Sequence, residues 1–470
     1  ETRETQEIIR EETGDKRVQV AMIGPAGENL VRYACIMHGL YDVAGRAGLG
    51  AVMGSKNLKA VAVRGHAWPP LADEARLKAI RSQVLANKHP MSLYGTGGPE
   101  MEMLESLGNL PVRNFRDGLF PQVKEIHGGI IAKTIRTKMD GCYSCPVRCK
   151  KVVQFDEPYP VDGAYGGPEY ETLAALGSNC GVGDLKAIAK GNERCNAYSL
   201  DTISTGATIG FAMECFEKGF ISKVDTGGIE LRFGDGNAML ECIELIARRT
   251  GFGEILAEGT ARMARKIGKG SERFAMQVKG LEPGMHDPRL SGNLGLGFMI
   301  CPQGADHTTV LPEAFFSWEN MKAELQPLGI EELPPTGAMG PRNVFLFWLL
   351  HLKQIVQDCL VVCIFLRYNL MRQAEILSAV TGWDTNVMEL IRIAARVVTL
   401  QRLFNIRQGF GIEDDTLPER FFQPKTDGAL ADKYLDRAKL EKAKKYFYSL
   451  MGWDEKGVPL PETVEALYIE

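Results

Sequence analysis

Several broad classes of protein are excluded by what this chain lacks. Its most apolar run, Val344-Phe345-Leu346-Phe347-Trp348-Leu349-Leu350, is followed closely by Lys353, Gln354, Gln357 and Asp358. A bilayer-spanning helix needs about 20 apolar residues, so this run reads as a buried core helix and no membrane association is expected. There is no excess of basic residues: 55 Lys and Arg face 59 Asp and Glu, for a net charge of −4. No nucleic-acid partner is expected from that balance. Eleven cysteines are too few, and odd in number, for a disulfide scaffold. That usage suits a reducing compartment, and the expected location is cytoplasmic. Neither the dinucleotide fingerprint nor the P-loop occurs, and no internal repeat or low-complexity tract is visible. The chain starts at Glu1 without methionine, on residues that look like the interior of a helix. An N-terminal portion, which could have carried a signal, is expected to be missing.

What is present begins with one compact stretch. Gly141-Cys142-Tyr143-Ser144-Cys145-Pro146-Val147-Arg148-Cys149 carries three cysteines at C-x2-C-x3-C spacing. A two-residue gap lets two thiolates curl onto one metal centre, and Pro146 stops the turn from running on as helix. Thiolates suit iron–sulfur clusters or zinc. Three are one fewer than a closed site needs, so the fourth must come from far along the chain.

At 45% hydrophobic residues the 470-residue chain can bury sizeable cores in two or three domains. Val18 to Met22 and Leu58 to Val63 read as strands. Between them lie two glycine-rich loops, Ile23 to Asn29 and Tyr41 to Lys56. Such loops suit phosphate, because small residues let backbone N–H groups approach an anion; they equally suit plain turns. His66 to Leu71 reads as a linker. Helices are expected over 72–88, with Leu77, Ile80, Val84 and Leu85 on one face, and over 99–107, 168–177, 185–200, 204–218, 238–250 and 253–267. Further helices are expected over 345–359, 368–380, 387–404 (capped by Asp384-Thr385-Asn386) and 433–451. Residues 279–289 read as a loop and 292–297 as a glycine-rich loop. The fold class expected is α+β, mainly α.

Three further features could carry chemistry. Asp358-Cys359-Leu360-Val361-Val362-Cys363 offers a carboxylate and two cysteines, either of which could be the remote ligand. His307 stands beside Asp306, after the glycine-rich loop. Glu169 and Glu171 open a helix, where carboxylates favour the positive end of the dipole. Alternatively, Glu171 faces the metal region with a raised pKa and works as a base.

Taken in order, these motifs resemble the tungsten-containing aldehyde:ferredoxin oxidoreductase family. The resemblance runs from Glu1 to the C-terminus. It rests on Ile23 to Asn29, Gly45 to Lys56, the cysteine stretch, Gly167-Pro168-Glu169-Tyr170-Glu171, Leu200 to Ser204, Gly304-Ala305-Asp306-His307 and Asp358 to Cys363. It implies a tungsten bis-pterin cofactor, a [4Fe-4S] cluster and room for Mg2+ at the pterin phosphates. Carried over, Cys142, Cys145, Cys149 and Cys363 would ligate the cluster. Cys363 is preferred to Cys359 because it stands five residues after Asp358, as the family's D-x-x-G-L-C pattern requires. Asn196, Leu200 and Asp201, and Asp358 with Val362, would hold the two pterins. Arg46, Ala47 and Gly48 would lie near the pterin phosphates, and Glu171 and His307 would flank the tungsten. The implied architecture has residues 1–65 as the end of a β-rich base domain, 66–277 as a helical domain with the cysteine motif, and 278–470 as a second helical domain.

The chain departs from the pattern at Asn196 and Ser199, where the pattern has Asp and Gly. It departs again at Val361 and Val362, where the pattern has Gly and Leu. Gln303 stands where many members have Arg and cannot offer a substrate carboxylate that charge. The resemblance implies oxidation of an aldehyde to a carboxylic acid, or the reverse, with electrons leaving to a ferredoxin or a ferredoxin-like subunit. A homodimer or hetero-oligomer is compatible with it. Two rivals are a relative that reduces an activated carboxyl or aryl-CoA thioester, and a non-catalytic iron–sulfur or zinc module.

Overall fold

The computed structural model describes residues 1–86, 89–308, 318–326, 329–335, 337–366 and 368–469. It is helix-rich with little sheet, as expected for an α+β, mainly α fold. The chain forms two compact units. One contains Glu1–His66, His89–Asp287 and Pro418–Lys433; the other contains Ala67–Lys88, Pro288–Leu417 and Tyr434–Glu470. No described helix is long and apolar enough to cross a membrane.

The first unit opens with the helix Thr2–Thr13, stopped by Gly14 in the left-handed conformation. A four-stranded antiparallel sheet follows: β1 (Gln19–Met22), β2 (Ile36–His38), β3 (Asp42–Ala44) and β4 (Ala60–Val63), in the order β3-β2-β1-β4. Alternation sets its inner face, so Val20 and Met22 bury against Cys35 and Met37 while Gln19 stays exposed. The helix Thr202–Glu217 is buried nearly all round, as a central helix must be. Gly206 makes that burial possible: a Cβ there would lie 2.4 Å from the Ala175 carbonyl oxygen.

The cysteine stretch is the loop of a second, two-stranded hairpin, β5 (Arg136–Asp140) and β6 (Lys150–Val153), with Asp140 opposite Lys150. The span read as one helix over 253–267 is two, Gly253–Leu256 and Thr260–Ile267, because Gly259 at φ 76° turns the chain between them.

In the second unit, Pro341–Cys359 packs against Val387–Arg407 and Arg437–Leu450, and Leu370–Thr381 packs against Glu74–Leu85. Asn386 caps its helix by accepting from the Glu389 N–H at 3.0 Å. Of the four apolar residues expected on one face of 72–88, only Ile80 is buried and Leu85 is exposed; residues 87 and 88 lie outside the described residues. The expected glycine-rich loop over 292–297 is instead a fully buried helix, Gly292–Ile300. Its glycines serve close packing: a Cβ on Gly292 would sit 2.3 Å from the Met339 sulfur.

Candidate active site

The hairpin loop separates three cysteines from the rest. Cys142 is exposed, and Cys145 and Cys149 are partly exposed. The Cys145 N–H donates to the Cys142 carbonyl at 3.0 Å, closing the turn, and Ser144 and Arg148 adopt left-handed backbone around it. By contrast Cys35, Cys180, Cys195, Cys215, Cys242 and Cys301 are buried. Burial pushes the thiols of the first five well up, which disfavours the thiolate a metal needs. The donor set of the loop therefore fits a thiolate-held cluster, and these buried cysteines do not. Just beyond Cys149, fully buried Lys151 donates to the Thr96 carbonyl at 2.7 Å and faces Glu169 at 3.4 Å. Thr96 in turn accepts from the Tyr170 N–H at 3.0 Å. The cysteine hairpin is thus tied to the segment that carries Glu171.

That segment is unusual. One α-turn, Tyr170–Thr172, passes directly into a π-turn, Leu173–Gly177, a deformation frequent at functional sites. The Glu171 carboxyl is buried, and burial raises its pKa against the lowering effects of His286, the Met285 N–H and Arg46. One oxygen accepts from the Met285 N–H at 2.8 Å. The other lies 3.5 Å from His286 Nε2. His286 stacks on Tyr170 with centroids 4.7 Å apart, and the Tyr170 hydroxyl donates to the Met285 carbonyl at 2.7 Å.

Arg46, Ala47 and Gly48 form a run of three left-handed residues before the helix Leu49–Ser55. Arg46 Nε faces Asp201 at 3.3 Å, and its guanidinium also donates to the Glu282 carbonyl. Asp201 caps Thr202–Glu217, accepting from the Ile203 N–H and the Ser204 hydroxyl, each at 2.9 Å. Leu200 bridges Ala34, and the Asp201 N–H donates to the Tyr33 carbonyl. Arg46, Leu200 and Asp201 are therefore brought together. Asn196 is turned elsewhere: its amide donates to the Tyr165 carbonyl at 3.0 Å.

The second unit holds the other expected residues. Asp358 sits at the end of Pro341–Cys359 and accepts from Gln354 at 3.1 Å. Val362 lies in the turn that follows, and Cys363 is exposed. Gln303, Asp306, Thr308 and Asp358 line a cavity of about 410 Å³. Gln303 donates to Asp306 at 2.6 Å, and His307 Nδ1 lies 4.0 Å from the other Asp306 oxygen. His286, Asn109 and Lys425 were not singled out from sequence. The one available signal was His286 next to Asp287 inside a Pro-Gly loop.

Accessible thiols, tied through a buried lysine to the segment that carries a carboxyl of raised pKa, suit an oxidoreductase. Comparison with known proteins agrees. Residues 1–65 match the family model described as aldehyde ferredoxin oxidoreductase, N-terminal domain, and residues 72–469 match that of its domains 2 and 3. The chain is 34% identical over 478 residues to the tungsten-containing aldehyde ferredoxin oxidoreductase of Pyrococcus furiosus, covering 99% of this chain and 76% of that one. It is 35% identical over 483 residues to the Pyrococcus horikoshii protein of the same name, with the same coverage. A WOR-like subunit of an aliphatic sulfonate oxidoreductase from Pyrococcus furiosus is 31% identical over 476 residues, covering 97% of this chain and 70% of the relative. Among solved structures, the BamBC active-site complex of benzoyl coenzyme A reductase with 1,5-dienoyl-CoA has a TM-score of 0.82 at 25% identity, covering all of this chain and 76% of that one. The chain belongs to the aldehyde ferredoxin oxidoreductase family.

Proposed function

We propose that the protein oxidises aldehydes to carboxylic acids and passes the electrons to a ferredoxin or a ferredoxin-like subunit, in the cytoplasm. The observation that carries this reading is the buried Glu171 carboxyl, whose pKa burial raises. A base poised above the ordinary carboxylate range takes a proton from water more readily near neutrality. When bound, a tungsten bis-pterin supplies the two-electron redox change and a [4Fe-4S] cluster a one-electron path. Cys142, Cys145, Cys149 and Cys363 hold the cluster. Arg46, Ala47, Gly48, Leu200 and Asp201 would serve one pterin, and Asp358 with Val362 the other, with Mg2+ at the phosphates. Glu171 accepts the proton of the water or hydrate that adds to the carbonyl carbon. His307 donates a hydrogen bond to the carbonyl oxygen as charge develops there. The division into three domains at residues 65 and 277 belongs to the same proposal.

The test is Glu171→Gln in anaerobically purified protein. Aldehyde oxidation should fall roughly 10²–10⁴-fold with tungsten and iron per chain unchanged. Near-normal turnover at full loading would remove Glu171 from its role. A second reading, reduction of an activated carboxyl or aryl-CoA thioester, draws support from the likeness to the benzoyl coenzyme A reductase complex and from Gln303. Turnover of an aryl-CoA with a low-potential reductant, and none with aldehydes, would favour it.

A further inference from the structure

We propose that Asn109 is a positioning residue that fixes the tautomer of His286, so that His286 holds an N–H directed at the Glu171 carboxyl. The proposal deepens the reading of Glu171 as proton acceptor and rests on it for its consequence, though not for its geometry.

The argument starts from one amide. The Asn109 side-chain oxygen accepts the Asp287 N–H at 2.8 Å. A carbonyl oxygen accepts and an NH2 group donates, so this bond orients the amide. Its NH2 then lies toward His286 Nδ1, at 3.2 Å. A donor there requires Nδ1 to be the acceptor, which leaves the proton on Nε2. Nε2 is the nitrogen that faces Glu171, at 3.5 Å. The ring cannot swivel away, because it stacks on Tyr170 at an interplanar angle of 16°.

Asn109 is itself clamped. Asn109 is buried, and its backbone oxygen also accepts the Asp287 N–H, at 3.0 Å. On either side of it, the carbonyls of Gly108 and Leu110 accept from Lys425 Nζ at 2.7 and 3.1 Å. The same ammonium pairs with the Asp287 carboxylate at 3.1 Å, and both side chains are fully buried. An ammonium has three protons, and three oxygens meet it here. The lysine thus locks the loop that carries Asn109 to the loop that carries His286.

The chemical consequence is a division of labour. Forming the imidazolium would put a proton on Nδ1, against the Asn109 NH2. Within its own unit the groups that meet the ring include Tyr170, Asn109, Glu171 and the Asp287–Lys425 pair, and the lysine offsets the aspartate. His286 therefore stays a neutral donor, and Glu171 is the member of the pair that gains and loses a proton. The N–H also faces one carboxyl oxygen, at 3.5 Å, while the Met285 N–H holds the other at 2.8 Å.

The experiment is nitrogen NMR of the oxidised holoenzyme grown with ring-labelled histidine. Seven histidines are present, and the His286 signals are those lost in His286→Gln. The expected spectrum shows Nε2 protonated and Nδ1 bare, unchanged across the usual histidine titration range of about pH 5–8. A protonated Nδ1, or free titration within that range, overturns the proposal. In Asn109→Asp, a carboxylate faces Nδ1 and should draw the proton there. Turnover should then fall roughly 10- to 100-fold, as for other groups that orient a functional histidine, with KM little changed. His286→Gln, which retains an N–H donor, should keep more activity than His286→Leu. The nitrogen shifts need no substrate. Failure to oxidise aldehydes with Nε2 protonated would therefore count against the proposed function and leave the tautomer lock standing.

Discussion

Two turns in this chain share a backbone and differ in almost everything else. In the first, the Ser199 N–H donates to the Asn196 carbonyl and the Leu200 N–H to that of Cys195. In the second, the Val361 N–H donates to Asp358 and the Val362 N–H to Gln357. Both are the paired bonds that close a helix through one left-handed residue, at φ 63° for Ser199 and 54° for Val361. The first is buried and sewn in. The Ser199 hydroxyl accepts the Gly24 N–H at 2.8 Å, its carbonyl accepts from Cys35 at 2.7 Å, and Asp201 caps the next helix and pairs with Arg46. The second is open, with Val361 91% exposed and Cys363 exposed beside it. The same turn serves as an anchor in one place and as a platform for a thiol in the other.

The largest effect should come from the open turn. Cys363→Ser is expected to strip most of the iron and abolish electron transfer, measured as iron per chain and as the reduced-cluster EPR signal. Cys359→Ser, four residues earlier, should keep both. Reversal of that pair would make Cys359 the remote ligand. Next comes the anchor. Asp201→Ala removes a helix cap and the carboxylate that faces the Arg46 charge, and should cost about 3 kcal/mol in urea unfolding. Its counterpart at the open turn, Cys363→Ala, should change folding stability by no more than about 0.5 kcal/mol. Equal losses would mean that burial does not separate the two turns.

The sequence carried these regions unequally. The cysteine loop was legible because its three cysteines lie close together in the chain, although the hairpin that presents them was not: Arg136–Asp140 has no apolar alternation to mark it as a strand. The long helices were legible from their apolar period. Gly292–Ile300 was misread because its glycines, which usually signal a loop, here allow close approach in a buried helix. Glu171 stood out only through its setting. Asn109 and Lys425 could not stand out at all, since a single amide and a single lysine carry no spacing signal and acquire meaning only when 109, 287 and 425 meet.

A smaller effect tests the burial around the anchor by pH. Glu171 and Glu282 both have pKa values raised chiefly by burial. The native state therefore keeps protons that the unfolded chain has lost. Stability from these groups is fully present below the ordinary carboxylate value, 4.5, and is lost as pH rises from there through the raised native values. Glu171→Gln should flatten that decline, measured as unfolding midpoints across pH. A decline as steep as in the unmodified protein would place the titrating burden on Glu282.

The smallest effect separates the two turns at a single atom. A non-glycine residue in the left-handed region costs about 1–2 kcal/mol, and a β-branched one is the least suited. Val361→Gly should therefore stabilise by about 1 kcal/mol, since an exposed side chain gives up little packing and glycine's unfolded-state entropy takes back part of the gain. Ser199→Gly relieves similar strain but deletes the acceptor of the Gly24 N–H. An unsatisfied buried donor costs about 1–3 kcal/mol, so the net change should be zero or a loss. Unfolding midpoints of the two variants decide it. An equal gain in both would mean that the Ser199 hydroxyl contributes nothing to the anchor. A loss at Val361 would mean that the side chain packs in a way its exposure does not suggest, and the contrast between a sewn turn and an open one would fall with it.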